Sequence, residues 1–130
     1  MTGAGGLLGR EAVRQLGTRG HEAIACDRRA LDITDARRAR EVVLREKPEA
    51  IVHCAAFTNV DAAESSPDEA FRVNVAGTEN VARAAAAVGA RFMYVSTDYV
   101  FDGESAEPYR PDSPVNPLSV YGRTKLGGEE

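Results

Sequence analysis

Three short apolar runs, HEAIACD at 21–27, EAIVHCAA at 49–56 and RFMYVS at 91–96, are separated by segments with helical spacing. Residues 7–16 place Leu8, Ala12, Val13 and Leu16 on one helical face, with Gly17 as a natural stop. Thr34 or Asp35 can cap a second helix that turns Ala36, Ala39, Val43 and Leu44 inward and ends before Pro48. A helix-rich stretch over 67–88 closes at Gly89, prolines at 108, 111, 114 and 117 mark a loop, and VYGRTKLGGEE starts a last helix. The order is therefore loop, α, β, α, β, α, β, loop, α. Strands alternating with helices demand right-handed crossovers and a parallel sheet, and the unbroken run at 49–56 suits a strand covered on both faces. The expected class is a doubly wound α/β fold.

At 130 residues, 43% of them hydrophobic, the chain suits a single domain with a real core. A net charge of −4 and a pI near 5.3 argue against nucleic-acid and anionic-membrane surfaces. Without an apolar run of about 18 residues or a signal peptide, the expected address is the cytoplasm. Cys26 and Cys54 lie in apolar runs without CxxC spacing, so both read as reduced, buried core residues, and no metal site is expected.

Gly3, Gly6 and Gly9 stand three apart at the opening of the first helix. In that arrangement the first glycine permits a tight turn, the second lets backbone approach a pyrophosphate, and the third lets helix pack closely on sheet. The next apolar run ends in Asp27, close to where a dinucleotide fold places its ribose-binding carboxylate. Together these point to a nicotinamide dinucleotide. Asp27 suits the ribose hydroxyls of NAD, whereas Arg28 and Arg29 suit the 2′-phosphate of NADP, so the sequence leaves the cofactor phosphate open.

Tyr121 and Lys125 are four apart in YGRTK and share one helical face. A phenol of pKa near 10 is a poor acid/base at neutral pH, and a neighbouring ammonium is expected to lower it. Ser96, Thr97 and Asp98 follow an apolar run, at the strand end where ligands of α/β sheets collect. A hydroxyl that polarises a carbonyl, a phenol that donates a proton and a cofactor that supplies hydride converge on carbonyl reduction.

The stretches TGAGGLLGRE, LDITD, HCAAFTNVDAAESSPDEAFRVNVAGTENVARAA, VSTDYVFDG and PLSVYGRTKLGGE resemble, in order and over most of the chain, the dTDP-4-dehydrorhamnose reductase branch of the extended short-chain dehydrogenase/reductase superfamily. The resemblance implies a Rossmann-type domain over 1–130 and reduction, with NADPH or alternatively NADH, of a dTDP-linked 4-keto-6-deoxy sugar to dTDP-L-rhamnose. It places Gly6, Leu7 and Leu8 at the pyrophosphate, with Gly3 also among the cofactor-binding residues, Asp27 at the adenosine ribose, and Asp32 and Ile33 at the adenine. Ala56, Phe57 and Thr58 would line the nicotinamide side, and Thr97 and Asp98 would hold the sugar. Tyr121 would donate the proton, and Lys125 would orient ribose and phenol. Asn74 matches a family asparagine without an assigned role. Leu7 replaces the family's usual glutamine.

Compared with that family, the chain lacks the apolar strand before the glycine loop and the C-terminal region that closes over the nucleotide sugar. It is therefore expected to be a fragment, truncated at both ends, with unpaired backbone at the middle of its sheet. By itself it is expected to be marginally stable and inactive. The expected partner is a nucleotide sugar, with neither nucleic acid nor membrane; the oligomeric state stays open, a homodimer of the full-length protein included. Two other functions share these motifs: a noncatalytic dinucleotide-binding regulatory subunit of methionine adenosyltransferase, and a nucleotide-sugar epimerase or 4,6-dehydratase.

Overall fold

The computed structural model describes residues 1–130. Two strands, β1 (Ala50–His53) and β2 (Arg91–Tyr94), pair in parallel with Ala50 opposite Arg91 and His53 opposite Tyr94. The sheet continues past β1 through single parallel bridges, since Thr2 pairs with both His53 and Cys26. The spatial order is thus Cys26, Thr2, β1, β2, with the segment before the glycine loop in the centre, as a Rossmann-type doubly wound fold requires.

Residues 21–27, expected as a strand, contribute only the bridge at Cys26. Pairing there is confined to Met1–Ala4: Cys26 N donates to Met1 O (2.9 Å) and Ala4 N donates to Cys26 O (3.1 Å). On the other side Thr2 N donates to Val52 O (3.1 Å) and Cys54 N donates to Thr2 O (3.3 Å). The middle of the sheet, expected to be open, is therefore bonded at its loop end.

Six α-helices surround this sheet. α1 (Leu7–Thr18) runs through Gly17 instead of stopping there, because the left-handed turn falls at Gly20 (φ 79°). Its Ala12, Val13 and Leu16 are half-buried, but Leu8 is 52% exposed and faces the cleft described below. α2 (Ala36–Glu46) is capped by Asp35, whose carboxylate accepts from Arg38 N, and ends with left-handed Lys47 ahead of Pro48. Its buried face is Ala39, Val42 and Val43, not the predicted set with Ala36 and Leu44, which lie on exposed flanks. That face meets Val81, Ala84 and Ala85 of α5 (Thr78–Ala87) over Ile51, making the main core.

The stretch read as helix-rich over 67–88 is not uniform. α4 (Pro67–Phe71) passes into a π-helical turn at Arg72–Gly77 before α5 begins. Ahead of it lies α3 (Val60–Ser65), whose signal was in the sequence: Asn59 caps it by accepting from Ala62 N (2.9 Å). After a 3₁₀ turn at Asp98–Val100 the proline-rich loop is knitted by Asp102, which accepts from Tyr109 OH (2.6 Å) and Asn116 Nδ2 (3.2 Å). These bonds hold the Asp102 carboxyl below the usual carboxylate range. The loop delivers the chain to α6 (Val120–Glu129). No helix is long and apolar enough to cross a membrane.

Candidate functional site

A cleft of about 690 Å³ opens where the sheet meets the glycine loop, and both Tyr121 and Lys125 reach its wall. The loop can pass this close to the sheet only because Gly3 adopts φ 65° and carries no Cβ; one built there would lie 2.5 Å from Ala55 N. Gly6 precedes α1 with no side chain capping the helix, so the first amides of α1, at Leu7 and Leu8, have no side-chain acceptor, and both residues line the cleft. A helix N-terminus of this kind carries partial positive charge and donors suited to a diphosphate.

Asp27 borders the same cleft. Its Oδ1 accepts from Arg29 N (3.0 Å) and Ala30 N (2.8 Å), which fixes the turn and leaves Oδ2 free of hydrogen bonds within the chain. Arg28 and Arg29 also line the cleft, and neither enters an ion pair. Asp32 accepts from the amide (3.0 Å) and hydroxyl (2.8 Å) of Thr34, and these bonds lower its carboxyl from the ordinary value. Ile33 is buried beside it, with its carbonyl accepting from Asn80 Nδ2 (3.0 Å).

Ala56, Phe57 and Thr58 form the facing wall. What holds this wall is Asn74, 1% exposed in the π-helical turn: Oδ1 accepts from Phe57 N (2.7 Å), while Nδ2 donates to Phe57 O (3.0 Å) and to Thr124 Oγ1 (2.9 Å). The sequence singled out Asn74 without a role, and the structure makes it the clamp between the wall and α6. Asn74→Ala leaves the part-buried Phe57 N–H and C=O without their partner and takes one donor from the buried Thr124 hydroxyl. It is expected to destabilise the protein by about 2 kcal/mol, read by urea denaturation.

The start of α6 is fixed twice over. Ser119 Oγ accepts from Gly122 N (3.0 Å), and Glu64 of α3 accepts from Val120 N (2.6 Å). Tyr121 then lies half-buried, its ring edge-on to Tyr99 at 5.7 Å. Burial pushes its phenol above the ordinary 10, and the Asp98 carboxylate adds to the rise. Lys125 is 2% exposed; its Nζ donates to Val95 O (2.6 Å) and sits 3.9 Å over the Tyr94 ring. Burial draws its ammonium down to about 8. The expected lowering of the phenol by the ammonium is therefore corrected: in this structure burial governs both groups, and the lysine is engaged by a carbonyl and a ring.

Thr97 and Asp98 do not line the cleft. Thr97 caps the 3₁₀ turn by accepting from Tyr99 N (3.3 Å) and donates to Asp98 Oδ1 (3.2 Å). Ser96 does reach the cleft and donates to Glu129. Cys54, expected in the core, is only partly buried and borders the cleft, and its thiol is raised by desolvation. Cys26 is buried as expected. Sequence reasoning missed Val95 and Val73 as wall residues, since an apolar residue in an apolar run carries no mark of which face it serves.

A protein-family model described as RmlD substrate binding domain matches residues 1–130. The chain is 48% identical over 129 residues to dTDP-4-dehydrorhamnose reductase of Streptomyces griseus, covering 99% of this chain and 42% of that protein. It is 45% identical over 136 residues to methionine adenosyltransferase 2 subunit beta of Xenopus tropicalis, with 99% and 40% covered. The crystal structure of dTDP-4-dehydrorhamnose reductase from Bacillus anthracis, in complex with NADP, superposes with a TM-score of 0.95 at 41% identity, over 98% of this chain and 46% of that one. The chain thus spans less than half the length of these relatives.

Proposed function

The chain belongs to the RmlD substrate binding domain family, and on that premise we propose that residues 1–130 are the dinucleotide-binding part of an NADPH-dependent reductase of a dTDP-linked 4-keto-6-deoxy sugar. The reaction would convert dTDP-4-dehydrorhamnose to dTDP-L-rhamnose. The observation that carries this reading is the placement of Tyr121 in one cleft with Lys125 and the glycine loop.

The residues present fit a dinucleotide. The uncapped start of α1 at Gly6, Leu7 and Leu8 suits its diphosphate, Oδ2 of Asp27 is free for a ribose hydroxyl, and Asp32 and Ile33 shape a pocket for adenine. Ala56, Phe57 and Thr58 flank the nicotinamide end, and Lys125 holds its ribose. When bound, the cofactor supplies hydride. Thr97 and Asp98 hold the sugar near its ketone, and Thr97 turns its hydroxyl hydrogen from Asp98 to the carbonyl oxygen. Tyr121 passes its phenolic proton to that oxygen as carbon 4 becomes a carbinol. A phenol kept protonated by burial is in the right state for this acid step.

The whole protein supplied with dTDP-4-dehydrorhamnose is expected to consume NADPH and form dTDP-L-rhamnose; absence of both would overturn the reading. A purely regulatory dinucleotide-binding role would leave the phenol of Tyr121 without a chemical part to play. An epimerase would return a sugar isomer with no net NADPH consumption.

Cofactor choice follows from the unpaired guanidiniums. Arg28 and Arg29 stand free at the cleft, beside the Asp27 turn where the 2′-phosphate would lie. Replacing both by alanine is expected to weaken NADPH binding by about 10- to 100-fold, the worth of one or two charged hydrogen bonds. NADH binding should change little, and fluorescence titration with each cofactor separates the two.

A further inference from the structure

Apart from Lys125, the buried polar residues of the protein are Thr2, His53, Asn74, Thr78 and Thr124. They form one continuous hydrogen-bonded chain. Thr2 Oγ1 meets His53 Nδ1 at 2.8 Å, His53 Nε2 meets Thr78 Oγ1 at 3.3 Å, and Thr78 Oγ1 donates to Asn74 O at 2.7 Å. Asn74 Nδ2 donates to Thr124 Oγ1 at 2.9 Å, and Thr124 Oγ1 donates to Tyr121 O at 2.7 Å.

Burial, with the Lys125 charge adding to it, draws the His53 imidazole down to about 4, so the ring is neutral and the bond directions follow from counting hydrogens. Thr78 spends its only hydroxyl hydrogen on Asn74 O, so it must accept from His53 Nε2–H. His53 Nδ1 is then bare and must accept from Thr2. The ring is neutral, with its tautomer set from both sides, and no buried side-chain polar atom is left without a partner. His53 is 1% exposed and lies at the end of β1, between the segment that enters the glycine loop and the helix that follows the π-helical turn. Phe92 and Tyr94 pack their rings against it at 5.5 and 5.9 Å, so it cannot swing to other partners.

We propose that His53 is a positioning residue: through the chain Thr2–His53–Thr78–Asn74–Thr124 it holds the start of α6, and so Tyr121, in register with the glycine loop. The proposal rests on the function given above only in giving Tyr121 its importance; the coupling itself is a property of the free protein. A core histidine that merely fills space would be replaceable by any residue of similar volume. A relay needs an acceptor toward Thr2 and a donor toward Thr78, which glutamine can supply and leucine cannot.

The test is backbone hydrogen exchange on the whole protein without ligand, comparing His53→Leu and His53→Gln with the wild type. His53→Leu is expected to accelerate exchange of the α6 amides by about tenfold or more while amides of α2 stay within about twofold, because the α2 face packs on apolar residues of α5 outside the chain. His53→Gln is expected to restore most of the α6 protection. Equal loosening of α2 and α6, unchanged α6 exchange in the leucine variant, or glutamine behaving as leucine would each overturn the proposal. Should His53→Leu fail to fold, Thr78→Val removes the same link while keeping the ring, and the same comparison of α6 with α2 decides. Turnover plays no part in this readout, so failure of sugar reduction would strike the proposed function and leave the relay standing.

Discussion

Replacing Tyr121 by phenylalanine is expected to lower kcat for sugar reduction by about 10²- to 10⁴-fold, the usual worth of a positioned general acid. The ring would keep its place, since its edge-on contact with Tyr99 and the two caps of α6, from Ser119 and Glu64, do not involve the hydroxyl. What disappears is the proton donor. NADPH affinity should therefore stay within about threefold while kcat collapses, a split that points to lost transition-state stabilisation rather than lost binding. Lys125→Met should differ in kind. It removes a buried donor to Val95 O and the charge over the Tyr94 ring, so cofactor affinity and kcat would fall together. Stopped-flow single turnovers with titrated NADPH separate these patterns, and a Tyr121→Phe enzyme with wild-type kcat would remove the phenol from the mechanism.

The contrast between those two residues shows how far the sequence could be read. Four-residue spacing in YGRTK placed Tyr121 and Lys125 on one helix and in one cleft, and the structure has them there. Spacing says nothing about solvent, however. The ammonium was expected to act on the phenol, yet desolvation outweighs it on both groups, and a carbonyl and a ring from the end of β2 take up the lysine. The same division runs through the fold. Apolar runs and the cap at Asp35 are local signals, and parallel pairing follows from the alternation of strands with helices. The length of the pairing at 21–27 depends on the partner beside it, and so no local pattern could set it. The inward face of α2 depends on where α5 lies, which moved Val42 in and Leu44 out. Asn74 and His53 were the least legible: a lone asparagine in a helical stretch and a histidine in an apolar run look ordinary until tertiary structure brings their partners together.

The glycine loop offers a second large effect, and one that separates folding from binding at positions three apart. A Cβ on Gly9 would fall onto the carbonyl oxygen of Gly3, with Ala4 Cα 2.9 Å away, and both obstacles are backbone that cannot rotate aside. Gly9→Ala must push α1 off the loop that starts it, and overpacking of this kind costs about 3 kcal/mol or more. For a domain of this size that corresponds to a fall in Tm of on the order of 10 °C. Gly6→Ala meets only Gly3 O at 3.3 Å, a contact that a shift of a few tenths of an ångström relieves, and its Cβ would stand where a diphosphate must approach the first amides of α1. Its Tm is expected to stay within about 3 °C while NADPH affinity drops by about tenfold or more. Calorimetry and cofactor titration on the two variants should therefore give opposite profiles. If Gly9→Ala melted with the wild type, the close seating of α1 on the loop would not be what fixes the helix. If Gly6→Ala bound NADPH normally, the uncapped start of α1 could not be the diphosphate site.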